Sequence, residues 1–222
     1  MAVFHFCYDL EFLGFLPPGA THTGGLRLLS ITVAGGFLLL SGVSLYLAHG
    51  QAIRWRAFGR RLTRIGAAAA AVTVATWVVF PTAFVYFGIL HAIALASVIG
   101  LAFLRLPMAL TALAAVAVFT VPRIWPGALD LPWLDWLGLT RTPRFSVDFE
   151  PVFPWLAPFL MGLALAKLAA SAGLWDRLRA TPGTQGRLIH ALGWPGRHSL
   201  MVYLLHQPVL LALLWGAMQV SR

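Results

Sequence analysis

Charged side chains are scarce in this sequence. Only 10% of its 222 residues are Asp, Glu, Lys or Arg, whereas 59% are hydrophobic, and the mean hydropathy is +0.81. Because a soluble domain carries roughly 25% charged residues, this composition excludes a water-soluble globular fold. We predict an all-α, polytopic transmembrane helix bundle, since helices satisfy their own backbone hydrogen bonds in lipid.

Cysteine and the common motifs of soluble enzymes are also missing. Cys7 is the only cysteine, which excludes an internal disulfide and a cysteine metal cluster. The sequence has no phosphate-binding glycine loop, dinucleotide fingerprint, zinc-protease helix or nucleophile elbow. The net charge of +9 comes largely from arginines between apolar stretches, so we expect contacts with membrane lipids and no nucleic acid. We also expect no metal.

Seven apolar segments follow one another, and each is predicted to be a helix. They are Met1–Leu16, Leu28–Ala48, Ile65–Phe80, Ala83–Phe103, Met108–Val121, Val152–Ala172 and Ser199–Met218. Pro81 and Pro107 separate neighbouring segments, as expected of residues that interrupt helices. Small residues such as Gly35, Gly42 and Gly162 would let neighbouring helices approach closely.

The charge pattern predicts the orientation of these helices. Basic residues concentrate before the third segment, at the Arg105 link and in the last long loop, so the positive-inside rule makes these connections cytoplasmic. They include Arg54, Arg56, Arg60, Arg61 and Arg64 in the first group and Arg177, Arg179, Arg187 and Arg197 in the last. Six of the seven acidic residues then lie on the outer side: Asp9, Glu11, Asp130, Asp135, Asp148 and Glu150. We predict an integral membrane protein with its C-terminus outside.

The predicted outer loop from Arg123 to Pro151 is rich in tryptophan and proline. Trp125, Trp133 and Trp136 lie within it, and Trp155 follows on the next segment. Such residues commonly form an aromatic belt at the membrane surface. They could equally form a platform on which a sugar-like substrate stacks, which makes Trp155 a candidate substrate-binding residue.

Ionisable residues inside apolar segments are functional candidates, because they are costly in lipid. His5, His91 and His206 are each predicted to lie near the bilayer midplane, at about 1.5 Å per helical residue. His5 and Asp9 are four residues apart, so they share a helix face in an arrangement suited to a general base. For each histidine the alternative is a satisfied hydrogen bond between helices. On the last segment Ser199, Tyr203 and His206 form one polar stripe.

Five segments, in order, resemble one known family. They are MAVFHFCYDLEF, FLLLSGVSLYLA, FGILHAIALAS, FEPVFPWLAPFLMG and GRHSLMVYLLHQPVL. Together they resemble bacterial membrane proteins related to the catalytic domain of heparan-alpha-glucosaminide N-acetyltransferase, within the transmembrane acyltransferase group. The likeness covers nearly all of residues 1–222, which we therefore treat as a single transmembrane domain. Family members usually carry an Asp and an Arg-Gly pair just before the first segment, so either the recorded start is late or that element is missing.

The resemblance implies transfer of an acyl group, in the first instance acetyl, from cytoplasmic acyl-coenzyme A to a carbohydrate or glycolipid acceptor outside. His206 matches a histidine of the lysosomal relative's last helix. His22 is the nearest match to that relative's catalytic loop histidine, and His5 stands where the relative has Asn. Either His5 with Asp9, or His22, is then the expected base.

The remaining candidates bind the substrates in this hypothesis. Coenzyme A is expected to enter beside Arg54, Arg56, Arg60 and Arg61, and Arg27 could hold an acidic acceptor. His91 and Tyr203 complete the predicted substrate-binding set with Trp155. Two alternatives remain: a redox protein with paired histidines as haem ligands, and a small-molecule transporter. A homo-oligomer is left open.

Overall fold

The computed structural model describes residues 1–181, 193–194 and 196–220. These residues are mainly helical and contain no strand, so the prediction of an all-α fold is confirmed. The helices are α1 (Ala2–Phe12), α2 (Gly24–His49), α3 (Trp55–Val79), α4 (Ile89–Leu104), α5 (Met108–Ile124), α6 (Val152–Ser171), α7 (Leu174–Ala180) and α8 (Ser199–Val220). Short 3-10 turns cover Ala20–His22 and Pro132–Leu137. Arg187 of the predicted inner loop lies outside the described residues.

Four helices are long and apolar enough to cross a membrane. These are α2, α3, α6 and the part of α8 up to Gln219. The apolar helices α4 and α5 have 16 and 17 residues, or about 25 Å at 1.5 Å per residue, which is slightly less than a hydrocarbon core of roughly 30 Å. The chain is therefore an integral membrane protein.

The predicted helix boundaries differ most from the structure at the starts of α3 and α4. Smaller differences occur at the end of α1, which is Phe12 and not Leu16, and at the start of α2, which is Gly24 and not Leu28. Helix α3 begins at Trp55 and not at Ile65, so Arg56 and Arg60 lie on a helix and not in a loop. Arginine is a good helix former, and a hydropathy pattern does not register the polar first turns of a helix. Helix α4 begins at Ile89 and not at Ala83, because the preceding residues pair with another loop.

This loop pairing explains where α4 starts. The Val147 amide donates to the Ala83 carbonyl at 2.9 Å, and the Glu150 amide donates to the Phe87 carbonyl at 3.0 Å. The Asp148 carboxylate accepts the Ile89 amide at 3.2 Å. A carboxylate at that point satisfies one of the backbone amides that a helix N-terminus leaves unpaired. The backbone before Ile89 is therefore held in a non-helical conformation.

The chain divides into two compact units, residues 1–33 with 181–222, and residues 34–180. In the first unit α1 packs against α8 and against the first 3-10 turn. The Glu11 carboxylate accepts the Gly19 amide at 2.6 Å, the Thr21 amide at 2.7 Å and the Thr21 hydroxyl at 2.6 Å. One side chain at the end of α1 therefore fixes the loop that follows it.

In the second unit α5 packs along α6, and α4 packs against α3 and α6. A Cβ added to Gly42 would lie 2.0 Å from the Phe159 carbonyl, and one added to Gly162 would lie 2.0 Å from the Leu39 carbonyl. The predicted close approach at these two glycines is confirmed, and it brings α2 and α6 into backbone contact. The same prediction is wrong for Gly35, where an added Cβ would meet nothing within 4 Å.

Lys167 fixes the short link between α4 and α5. Its ammonium donates to the Phe103 and Leu106 carbonyls, both at 2.6 Å, and to the Thr111 hydroxyl at 3.0 Å. A cation at the C-terminus of a helix satisfies carbonyls that lack a partner within the helix. This arrangement accounts for a lysine within an otherwise apolar helix.

Candidate active site

The first unit holds a polar cluster where α1 meets α8, which we call the α1–α8 cluster: His5, Asp9, His206 and Gln207. The rings of His5 and His206 lie 4.7 Å apart between centroids and are inclined by 63°. His5 stands one helical turn before Asp9, and His206 directly precedes Gln207. Each helix therefore contributes one imidazole and one further polar group.

Asp9 and Gln207 form the second contact of the α1–α8 cluster. The Gln207 side-chain amide donates to Asp9 Oδ1 at 2.5 Å. Asp9 is only 1% exposed, which would be costly for a charged group in apolar surroundings without a partner. This hydrogen bond satisfies one of the two carboxylate oxygens and fixes the plane of the carboxyl group.

Three buried atoms of the α1–α8 cluster have no hydrogen-bond partner: Asp9 Oδ2, Gln207 Oε1 and His206 Nε2. His206 Nδ1 lies 2.5 Å from the Tyr203 carbonyl oxygen. Because a carbonyl can only accept, Nδ1 carries the proton, and Nε2 of the neutral ring presents a lone pair. Gln207 Oε1 and His206 Nε2 are thus acceptors, as is Asp9 Oδ2 when its carboxyl group is ionised, and together they suit a ligand that donates hydrogen bonds.

The comparison with known proteins bears on this cluster. A family model described as heparan-alpha-glucosaminide N-acetyltransferase, catalytic, matches residues 1–208, which include all four cluster residues. The chain belongs to this family. It is therefore a membrane-embedded transferase of acyl groups. No curated protein and no solved structure matches the chain.

Of the other predicted site residues in this unit, Tyr203 contacts the cluster, whereas His22 and Arg27 are exposed. Tyr203 contributes its carbonyl to His206, and the two rings lie 5.6 Å apart. His22 is exposed on the 3-10 turn that Glu11 holds. Arg27 is exposed in the first turn of α2. Two of the three histidines predicted to be intramembrane therefore meet, whereas His22 faces solvent or headgroups.

His91, in the second unit, has a different environment from the one predicted. It is the third residue of α4, so it lies at the end of that helix and not in its middle. Its Nδ1 accepts the Gly88 amide at 3.3 Å, and its Nε2 lies 3.3 Å from the Thr73 hydroxyl. Since that hydroxyl donates to the Val85 carbonyl at 2.7 Å, Nε2 is the donor to Thr73. Both ring nitrogens are occupied, and His91 caps its own helix.

The four predicted coenzyme A arginines do not converge. Arg54 lines a cavity of about 440 Å³, and its guanidinium donates to the Ala48 carbonyl at 3.1 Å. Arg56 and Arg60 are exposed on α3. Arg61 instead donates to the Ser97 hydroxyl of α4 at 3.4 Å. Arg54 is therefore the member of this set that borders the cavity of about 440 Å³, which is large enough to take part of a nucleotide.

An ion pair organises the predicted outer loop. Arg144 binds Asp135 through Nε at 2.8 Å and Nη2 at 3.2 Å, and its guanidinium lies 4.4 Å from the Tyr86 ring centroid. Burial alone would raise the pKa of Asp135, but the hydrogen bonds and charge of Arg144 lower it below the ordinary value. Burial, followed by the charge of Asp135, raises the pKa of Tyr86. Arg144, Asp135 and Tyr86 therefore satisfy one another's charge and hydrogen bonding, which indicates a structural role.

The aromatic residues of this loop fall into two groups. Trp125 and Trp133 are more than 60% exposed, as expected for a membrane-surface belt. Trp136 packs against Phe87 with ring centroids 5.6 Å apart, and both line a cavity of about 720 Å³. Trp155 lies against the apolar residues of α2 and α4. Trp125 and Trp133 are therefore candidates for the membrane-surface belt. Trp136, which borders a cavity, is a candidate for the substrate platform.

Two neighbouring carboxyl groups end this loop. Burial raises the pKa of Asp148 to about 6, although the Ile89 amide acts in the opposite direction. Burial, followed by the charge of Asp148, raises the pKa of Glu150 to about 9. Glu150 Oε2 is buried without a hydrogen-bond partner. Burial and the neighbouring Asp148 therefore both favour the protonated form of Glu150.

Gln207 is absent from the site residues predicted above. Its signal in the sequence is weak, since it is one polar residue beside His206 in an apolar segment. Only the contact with Asp9, 198 positions earlier, shows that it belongs to the cluster. Such a contact depends on which helices are neighbours, and hydropathy does not specify this.

Proposed function

We propose that this protein transfers an acyl group, in the first instance acetyl, from cytoplasmic coenzyme A to a carbohydrate-type acceptor on the outer side of a bacterial inner membrane. Membership of the heparan-alpha-glucosaminide N-acetyltransferase family supports the transfer reaction. The observation that carries the proposal is the α1–α8 cluster, where buried acceptor atoms lie beside two imidazoles.

The α1–α8 cluster favours an amine as the acceptor group. With Asp9 ionised, its three unpaired atoms, on Asp9, His206 and Gln207, all accept hydrogen bonds. A hydroxyl group offers one donor, whereas a primary amine offers two or three. Because an unpaired acceptor away from water costs free energy, the amine satisfies more of the site. An amino sugar is therefore the acceptor class that we propose.

His206 is the proposed base in this mechanism, and His5 with Asp9 supports it. His206 Nε2 takes a proton from the amine as its nitrogen attacks the thioester carbonyl carbon. The new C–N bond forms, the C–S bond breaks, and the thiolate of coenzyme A leaves and is protonated. A carboxylate at Asp9, in the same cluster, would favour the transient positive charge on His206, and the His5 ring packs against the His206 ring at 4.7 Å. His22, exposed on its turn, is a less favourable base.

The cytoplasmic cavity is the proposed entrance for coenzyme A. Arg54 and Arg179 line it with Tyr46, Gln51 and Trp175. Guanidinium groups suit the phosphates of the nucleotide, and an indole face suits stacking with its adenine. Trp175 is held by a hydrogen bond from its ring nitrogen to the Ala166 carbonyl at 2.9 Å. Arg56 and Arg60, both exposed, are better suited to anionic headgroups.

The two alternatives fit the α1–α8 cluster less well. Axial haem ligands lie on opposite faces of the macrocycle, but the His5 and His206 rings are in edge contact at 4.7 Å, which leaves no room for it. A transporter would require paired broken helices, and an acetyltransferase family match favours group transfer.

The direct test is transfer from labelled acetyl-coenzyme A by the purified protein in liposomes, with a panel of amino sugars and their hydroxyl analogues. We expect labelled N-acetyl products and an equal amount of free thiol. Mass spectrometry of envelope glycans with and without the protein should show one missing acyl group. If no acceptor is acylated and acyl-coenzyme A does not bind, the proposal fails.

The proposed orientation has a separate test. In a Cys7→Ser background, Asp130→Cys should react with an impermeant thiol reagent added outside intact cells. Ala180→Cys should react only after permeabilisation, because it follows the basic residues of α7. The reverse labelling pattern would overturn both the outside C-terminus and the cytoplasmic entrance for coenzyme A.

A further inference from the structure

Gln207 has no part in the reaction as proposed so far, although it makes the cluster's shortest contact between side chains. Its amide donates to Asp9 Oδ1 at 2.5 Å. Apart from this bond, the buried polar atoms of the pair are unpaired: Asp9 Oδ2 and Gln207 Oε1. The contact therefore engages the amide nitrogen of Gln207 and one of the two carboxyl oxygens of Asp9.

A carboxyl group can rotate about its bond to Cβ, and each orientation presents its oxygens differently. A hydrogen bond to one oxygen selects one orientation and leaves the second oxygen in a defined direction. Asp9 is 1% exposed, so water does not compete for this bond. Because the bond joins α1 to α8, it also sets the position of the carboxyl group relative to His206.

We infer that Gln207 is a positioning residue, which orients Asp9 so that Oδ2 faces the reacting groups. This inference rests on the proposed acyl transfer. Gln207 acts through Asp9, and its own contact with the substrate is not required. Loss of the amide donor would leave the carboxyl group in place but free to turn away from His206 and the acceptor amine.

Three substitutions separate positioning from packing. Gln207→Met keeps the length and volume of the side chain but removes the donor, and Asp9→Asn keeps the shape of Asp9 but removes its charge. Gln219→Met is the matched control, because Gln219 is an exposed residue on the same helix. Each is combined with measurements of kcat, KM and melting temperature in liposomes or detergent.

We expect Gln207→Met to lower kcat by about tenfold to a hundredfold, since small misplacements of a reacting group have effects of that size. KM for acetyl-coenzyme A should stay unchanged. In an Asp9→Asn background, Gln207→Met should alter kcat by less than about twofold, because the group through which it acts is already lost. Gln219→Met should leave kcat unchanged.

Packing alone would give a different pattern. Gln207→Met would then lower kcat by the same factor with Asp9 or with Asn at residue 9, and that result overturns the inference. An unchanged kcat in the single variant also overturns it. The melting temperatures provide a test that does not depend on turnover: the two substitutions should be non-additive if the residues are coupled. If coupling is seen but the unsubstituted protein transfers no acyl group, the proposed function fails and the contact remains structural.

Discussion

His91 and His206 both lie in apolar helices, but their hydrogen bonding differs. His91 has both nitrogens occupied, one by the Gly88 amide and the other by the Thr73 hydroxyl. His206 uses Nδ1 on the Tyr203 carbonyl and leaves Nε2 buried without a partner. His91 therefore caps the N-terminus of its helix, whereas His206 has one lone pair that makes no hydrogen bond.

The comparison shows that burial in a helix does not by itself identify a catalytic histidine. What distinguishes the two is the number of donors and acceptors left after the local structure is satisfied. A saturated imidazole cannot take a proton from a substrate unless it first breaks a native hydrogen bond. His206 can do so without such a loss, and this makes it the better base.

The largest effect should follow from His206→Gln. Glutamine retains polarity and hydrogen bonding but does not exchange protons, so acyl transfer should fall by about 10² to 10⁴-fold, the usual contribution of general acid–base catalysis. The matched variant His91→Gln should keep near-normal transfer while its melting temperature falls. Labelled acetyl transfer and detergent melting, measured on the same samples, test both expectations.

Other outcomes would contradict the distinction between His91 and His206. Near-normal turnover in His206→Ala would remove this residue from the site. Substantial activity in His206→Gln together with a raised KM in His206→Ala would assign it to binding and not to proton transfer. A loss of turnover in His91→Gln that exceeds its loss of folded protein would show that a saturated histidine can also contribute to the reaction.

Much of the fold could be predicted from the sequence, because helices in lipid follow from hydrophobic composition. The predicted Met108 start of the fifth segment and the Val152 start of the sixth coincide with the helix starts of α5 and α6. The errors in the helix boundaries arise where the hydropathy of a segment does not match its secondary structure. The arginine-rich start of α3 is helical, and the apolar stretch before Ile89 is not helical because residues 147–150 pair with it.

The candidate site could be predicted only in part. The spacing of His5 and Asp9 placed them on one helix face, and both are in the cluster. Gln207 could not be predicted, since its importance depends on a neighbour in another helix. His91 could be identified as a polar residue in an apolar segment, but its saturation by Gly88 and Thr73 depends on the loop before α4.

A second prediction uses pH to test the stability of the region around His91 separately from that around His206. Glu150 pairs with the loop that precedes α4, the helix in which His91 is the third residue, and the pKa of Glu150 is raised from 4.5 to about 9. Between these values the folded state keeps a proton that the unfolded chain has lost, so this group's contribution to stability falls as pH rises through that window. Asp148 has the same sign, but its pKa is raised from 3.8 to about 6, so the range from pH 6 to 9 separates the contribution of Glu150 from that of Asp148.

The melting temperature should therefore fall by several degrees between pH 6 and pH 9. Glu150→Gln, which stays neutral, should remove most of this slope and should melt higher than the unsubstituted protein at pH 9. Asp130→Asn, at an exposed position of the same loop, is the control and should retain the slope. A slope unchanged in Glu150→Gln would show that the proton is held elsewhere.

The smallest expected effect concerns Thr73, the partner that saturates His91. Its hydroxyl donates to the Val85 carbonyl at 2.7 Å and accepts from His91 Nε2 at 3.3 Å, so Thr73→Val removes both bonds while keeping the shape of the side chain. Because hydrogen bonds between helices in membranes average only about 0.6 kcal/mol, the unfolding free energy should drop by about 1 kcal/mol. Thr73→Ser, which keeps the hydroxyl, should lose less. Acyl transfer should remain normal in both variants, since His91 serves the helix terminus and not the reaction. A fall in kcat with Thr73→Val, but not with Thr73→Ser, would mean that the orientation of His91 affects turnover, and the distinction between the two histidines would then have to be abandoned.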